Sequence, residues 1–170
     1  MPAFIVLLRA VNVGGTGKLP MADLKAMCAD AGFSKVQTYI ASGNVVFETK
    51  MAPAKIKAAL EARLERFAGK PVGVHIRTVE EMKAILESNP FPKAAPNRTV
   101  AIFLDSAPAA RALDEVQGLR DEEVRLGMRE VYVYYGGGMA DSRLRIPAAK
   151  AGTARNMNTV AKLVELASAL

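Results

Sequence analysis

The stretch Val36-Gln37-Thr38-Tyr39-Ile40-Ala41-Ser42-Gly43-Asn44-Val45-Val46-Phe47-Glu48 decides the fold. Two runs rich in β-branched and aromatic residues, 36–40 and 45–48, flank a short segment of small, turn-forming residues. They predict a tight hairpin. A hairpin at this point breaks the strand–helix alternation that a wholly parallel sheet requires.

Working outward, Ala3-Phe4-Ile5-Val6-Leu7-Leu8-Arg9 is a continuous apolar run and predicts a central strand covered on both faces. A polar, glycine-rich loop follows, Asn12-Val13-Gly14-Gly15-Thr16-Gly17-Lys18. Leu24, Met27, Cys28 and Ala31 then recur at helical spacing, with Gly32 placed to end the helix. Beyond the hairpin, Pro53 suits a helix start, and Ile56, Leu60, Leu64 and Phe67 form an apolar stripe closed by Gly69. Val72, Val74 and Ile76 alternate with Gly73, His75 and Arg77, a strand with one apolar face. The order is βαββαβ, the ferredoxin-like split βαβ.

The second half opens with a helix over 78–87, where Thr78 and Glu81 stand at capping-box spacing and Asn89-Pro90 ends it. A strand over 98–105 follows, and Pro108 is expected to open a helix carrying Leu113 and Val116. Residues 123–128 and 130–135 read as a second hairpin, Gly136-Gly137-Gly138 as a loop, and Met157, Val160, Val164 and Ala167 as a C-terminal helix. This order echoes the first half without a clear sequence repeat. The expectation is an α+β protein of two ferredoxin-like halves with mostly antiparallel sheets, divided as 1–77 and 78–170.

Composition narrows the chemistry. With 170 residues, 51% hydrophobic and 24% charged, the chain is in the globular range and needs no metal or disulfide staple. One cysteine and one histidine exclude a multi-cysteine or multi-histidine zinc site and leave at most one imidazole for acid–base work. The N-terminal apolar run is far short of the about 20 residues of a membrane span and has no leader-peptide flanks. A cytoplasmic protein without membrane partner or cofactor is the expectation. The net charge of +6 is uneven: residues 1–85 carry +5, residues 86–142 carry −3 and residues 143–170 carry +4. An anionic partner would therefore meet the first half or the C-terminal segment.

Three groups of residues invite a site. The Gly14-Gly15-Thr16-Gly17-Lys18 loop is not a Walker phosphate loop, because Asn12 and Leu19 stand where that pattern needs glycine and Ser/Thr. Successive glycine N–H groups beside Lys18 still suit a phosphate or carboxylate, against the alternative of a simple connecting loop. The βαββαβ order brings this loop and the 41–44 turn to one sheet edge, where Asn12, Lys18, Ser42 and Asn44 could converge. In 150–159, Thr153, Asn156 and Asn158 are cap candidates, and Arg155 at a helix start would suit an anion. Cys28 reads as core, His75 as a surface or interface residue on a polar strand face, and Tyr132 and Tyr134 as core or interface tyrosines lacking the RNA-recognition spacing.

Four segments together resemble one bacterial family. They are Leu8-Arg9-Ala10-Val11-Asn12-Val13-Gly14-Gly15 with Lys18-Leu19-Pro20-Met21, then Tyr39-Ile40-Ala41-Ser42-Gly43-Asn44-Val45-Val46-Phe47, then Asn89-Pro90-Phe91, and finally Thr153-Ala154-Arg155-Asn156-Met157-Asn158-Thr159-Val160. The resemblance is to the family of domain of unknown function 1697. Ala10 and Met157 depart from it, standing where the family usually has glycine and tryptophan. The resemblance implies two ferredoxin-like halves and no particular activity. By analogy it marks Arg9, Asn12, Gly14, Gly15, Lys18, Ser42, Gly43, Asn44, Arg155, Asn156 and Asn158 as ligand-binding candidates.

These readings favour a binding module for a phosphorylated ligand, nucleic acid or nucleotide included. The alternatives are an enzyme on a small anionic substrate, with Lys18 and Arg155 as clamps, or a protein-interaction scaffold that could self-associate. For the enzyme, Asp23, Asp105 and Asp141 are acids near loops, and none declares itself a base.

Overall fold

The computed structural model describes residues 1–9 and 18–170. They form two compact units, Met1–Lys83 with Lys162–Leu170, and Ala84–Ala161. The class is mixed α+β with two antiparallel four-stranded sheets, as expected.

The first unit contains β1 (Ala3–Leu8), α1 (Met21–Asp30), β2 (Ser34–Tyr39), β3 (Asn44–Glu48), α2 (Pro53–Ala68) and β4 (Val74–Thr78). Its strand order is β2-β3-β1-β4, so β1 is central and wholly buried beyond Ala3. Strand parity sorts the side chains. Phe4, Val6 and Leu8 share a face with Val45, Phe47 and Val74 and pack with Leu24 and Cys28 of α1 and Ile56, Leu60 and Leu64 of α2. Phe33 stacks on Phe47, ring centroids 4.2 Å apart. Each such side chain, fully buried, supplies about 1.5–3 kcal/mol of transfer free energy, which is why a continuous apolar β1 ends up central. The opposite face holds Ile5, Leu7 and Val46, and also His75 and Arg77, which are 3% and 1% exposed. The strand face that reads as polar is therefore buried, and His75 is not at the surface.

The second unit continues from α3 (Val79–Glu87) through β5 (Thr99–Phe103), β6 (Glu122–Leu126), β7 (Glu130–Tyr135) and β8 (Thr153–Asn156) to the start of α4 (Met157–Ser168); α3 and α4 both straddle the division. Its strand order is β6-β7-β5-β8, the same order as in the first unit. Val100, Leu104, Val124, Val131 and Val133 form its apolar face. Where the first unit lays α1 and α2, this one lays 3₁₀ turns, Ala112–Glu115 and Pro147–Ala149, with Leu144, Ile146 and Ala149 packed on the core. The helix expected from Pro108 is thus a single turn. Only Ala112 of that turn is buried, and Leu113 is 38% exposed, so no apolar face exists to hold a longer helix down.

Both sheets share one register. Ile5 pairs with Val46 and Arg77, and Ala101 pairs with Tyr132 and Arg155. Leu8 N–H donates to Gly43 O at 2.8 Å, and Leu104 N–H donates to Arg129 O at 2.9 Å. Each fourth strand runs directly into a helix whose start is capped from the strand's last residue. Thr78 and Glu81 form the reciprocal box, with bonds of 2.9 and 3.1 Å. In the second unit, Asn156 Oδ1 accepts from Thr159 N–H at 2.9 Å. The structural repeat is clear although the sequences hardly resemble each other.

Candidate functional site

The edge where β1 ends gathers three segments of the first unit. Leu8 is bonded to the β2–β3 turn through Gly43, and Arg9 N–H donates to Gly73 O at 2.9 Å, just before β4. Gly73 has to be small: a Cβ there would stand 2.9 Å from the Arg9 Cβ. Gly43 has φ 90, a left-handed backbone that glycine adopts without strain, and its neighbour Ile40 takes φ 49 although β-branched. Asn44 is fully buried, and its amide donates to Tyr39 O and Ser42 Oγ, both at 2.9 Å. Its side chain thus holds the turn closed. Arg9 and Lys18 are exposed, and Leu19 and Leu24, either side of the start of α1, are buried in the core. Pro20 precedes α1 without a side-chain cap, and Asp23 sits in the first turn. The amide dipoles at that helix start favour an anion, and Asp23 partly offsets them.

Of the four residues expected to converge, Ser42 and Asn44 lie in the turn bonded to the end of β1 through Gly43, with Arg9 the next residue along that strand, and Lys18 stands three residues before α1. Asn12, Gly14 and Gly15 lie outside the described residues, as does the rest of the glycine loop. Arg155, Asn156 and Asn158 belong to the second unit. Arg155 lies in β8, not at a helix start, and is 6% exposed. Its Nη1 donates to Thr153 Oγ1 at 2.7 Å and to Ala154 O at 2.9 Å, and burial pulls its pKa down to about 10. The cap is Asn156, one residue on, and Asn158 is exposed.

Other candidate residues have structural roles. Cys28 is fully buried, and loss of water pushes its thiol up to about 12, as befits core packing. Tyr132 is 3% exposed and donates to Ile85 O at 2.8 Å. Phe91 of the Asn89-Pro90-Phe91 motif lies against Tyr134, with Arg125 5.8 Å from its ring centre, and Asn89 Oδ1 accepts from Phe91 N–H at 2.9 Å. That motif fastens a loop to the second sheet. A depression of about 520 Å³ in the second unit includes Asp105, Ser106, Arg111, Glu115 and Pro147. Arg111 there is engaged by Asp114 at 2.9 Å. Asp23 and Asp141 are exposed. Among the described residues no cluster of His, Cys, Asp and Glu could hold a metal ion, and no helix is long and apolar enough to cross a membrane.

Sequence reasoning missed one group at the β1 edge. Phe67, counted in the apolar stripe of α2, is 47% exposed, between exposed Arg66 and Lys70. The helical period was right, but the last turn of α2 extends beyond the buried run that ends at Leu64.

No curated protein matches the chain. Among solved structures, the conserved bacterial protein SP0830 from Streptococcus pneumoniae is similar at a TM-score of 0.79 and 22% identity, covering 97% of this chain and 98% of that one. At that identity the likeness concerns the fold. The family model described as "Protein of unknown function (DUF1697)" matches residues 1–132. With the motifs and the fold in agreement, the chain belongs to the DUF1697 family.

Proposed function

We propose that the protein is a cytoplasmic binding module for a phosphorylated ligand, held at the edge where β1 ends. The reading takes the first unit as ferredoxin-like, from its βαββαβ order, and treats Arg9, Lys18, Ser42 and Gly43 as the contact residues. Asn12, Gly14 and Gly15 join them by sequence analogy. The observation that carries the reading is the pair of backbone bonds from Leu8 to Gly43 and from Arg9 to Gly73, which ties the Arg9 backbone beside a tight turn. The uncapped start of α1, close in sequence to Lys18, adds oriented N–H groups. Arg155 drops out of the contact set in this reading, because its guanidinium is committed inside the second unit.

Calorimetric titration with pyrophosphate and with a nucleoside triphosphate tests this. The wild type should bind at least one of them, and the Arg9→Ala/Lys18→Ala variant should lose at least about tenfold in affinity, or about 1.4 kcal/mol. Absence of binding, or equal affinity in the double variant, overturns it.

A further inference from the structure

We infer that the same edge is a platform for single-stranded nucleic acid, on which Phe67 stacks a base while Arg66 and Lys70 neutralise neighbouring phosphates. This rests on the preceding reading and extends it from a phosphate contact to a polymer.

The placement follows from topology. β4 pairs antiparallel with β1, and Leu8 stands opposite Val74, so the start of β4 lies at the end of β1. α2 ends at Ala68, and residues 69–73 connect it to β4. Five residues span at most about 18 Å, so the last turn of α2, with Arg66 and Phe67, and Lys70 just after it lie toward the Arg9 end of the sheet. The hairpin tip is at that end as well, since Leu7 pairs with Asn44. Ile40, 51% exposed, follows β2 at the same end of the sheet but across it from β4.

The chemistry of this set selects the occupant. An exposed phenylalanine has no hydrogen-bonding use, and leaving its ring in water forgoes burial. Its flanking cations make no ion pair with another described residue. Cations alternating with an aromatic face match a strand whose phosphates and bases alternate. A small anion such as inorganic phosphate would use the cations and leave the ring idle. Duplex would offer phosphates but keep its bases stacked inside. Two acids, Asp23 and Glu65, lie near these elements in sequence, against the cations Lys18, Arg66 and Lys70.

The test is fluorescence anisotropy of the full chain with a labelled deoxythymidine oligonucleotide of about 16 nucleotides and its ribo counterpart, at several salt concentrations. Phe67→Ala should weaken binding about 5- to 150-fold. Arg66→Ala/Lys70→Ala should make the log–log salt slope shallower by about 1.4. A duplex of equal length should bind more weakly than the single strand. Oligonucleotide binding that is unchanged by all three substitutions overturns the platform and leaves the Arg9 and Lys18 reading standing. Pyrophosphate binding without oligonucleotide binding overturns it in the same way. Failure of both ligands removes both readings. If Phe67→Ala instead dissociates a dimer in sedimentation, with oligonucleotide affinity unchanged, the ring serves self-association and the platform is wrong.

Discussion

Arg77 and Arg155 occupy the same position in two copies of one strand arrangement. Each lies on the fourth strand of its sheet, opposite the third residue of the central strand, Ile5 for Arg77 and Ala101 for Arg155. Each donates Nη1 to the carbonyl of its own preceding residue at 2.9 Å, and each precedes a helix by two residues. The polar residue between the arginine and the helix, Thr78 or Asn156, caps that helix. The motif Arg155-Asn156-Met157 is thus a strand-to-helix joint with an exact structural counterpart in Arg77-Thr78-Val79, which argues for a scaffold role.

Both arginines should therefore behave as structural residues. Arg77→Ala and Arg155→Ala should each lower stability by about 2–4 kcal/mol, through lost hydrogen bonds and the cavity left behind. Lysine should rescue neither fully, because it lacks the planar fork. Urea denaturation checks this, and stability unchanged by either alanine would refute the structural assignment.

Tyr132 should set an alkaline limit. Burial first, and the Glu130 carboxylate second, push its phenol up to about 12 from an ordinary value of 10.0. The unfolded chain then loses this proton before the folded one. The contribution to stability is complete below about pH 10 and is lost as pH rises from there through about 12. Tyr132→Phe should cost about 1 kcal/mol at neutral pH, by removing the bond to Ile85, and should flatten that alkaline fall. Denaturation of both proteins across this pH range gives the comparison, and parallel curves would contradict the assignment.

Ile40 should be a site of stored strain. A β-branched residue at φ 49 pays for a left-handed backbone that glycine or asparagine would accept. With half of its surface exposed, it recovers little of that by packing. Ile40→Asn should raise stability by about 1 kcal/mol, seen as a higher urea midpoint. Loss of stability would mean the side chain packs more tightly at the turn than its exposure implies.

Cys28 should be inert in the folded protein. Fully buried and with its thiol pushed up to about 12, it presents almost no thiolate at neutral pH. Reaction with a disulfide reagent should proceed only at the rate of unfolding and accelerate with urea. Prompt labelling in native buffer would place the thiol at the surface.

These residues also show how far the sequence could be read. β1 and the β2–β3 hairpin were legible because burial on both faces and a tight turn leave direct marks in residue type. β8 was not, since Thr153-Ala154-Arg155-Asn156 carries no apolar run and pairs with β5 through its backbone. Arg155 stands two residues before α4, inside β8, and strand parity turns its side chain into the sheet face. His75 and Arg77 read as the polar face of their strand, His75 as a surface or interface residue, because an alternating pattern cannot tell which side of a sheet will be covered. Pro108 and the residues after it favour a helix locally, but too few of them bury a side chain to hold one. At the candidate site, element order alone put the β1–α1 loop and the 41–44 turn at one sheet edge; Ser42 and Asn44 of the expected set are in that turn, Lys18 stands just before α1, and Asn12 lies outside the described residues. The exposure of Phe67 was not legible, because helical period says nothing about where a helix outruns its sheet.

The proposed phosphate site at the β1 edge is most directly tested by mapping amide chemical shifts of the isotopically labelled protein during titration with pyrophosphate and then the oligonucleotide. The account predicts shifts concentrated at Arg9, Lys18, Leu19, Ser42, Gly43 and Gly73, with residues 66–70 joining only when the oligonucleotide is added. Shifts centred instead on the depression beside Asp105 and Arg111, or none at this edge with either ligand, would contradict it.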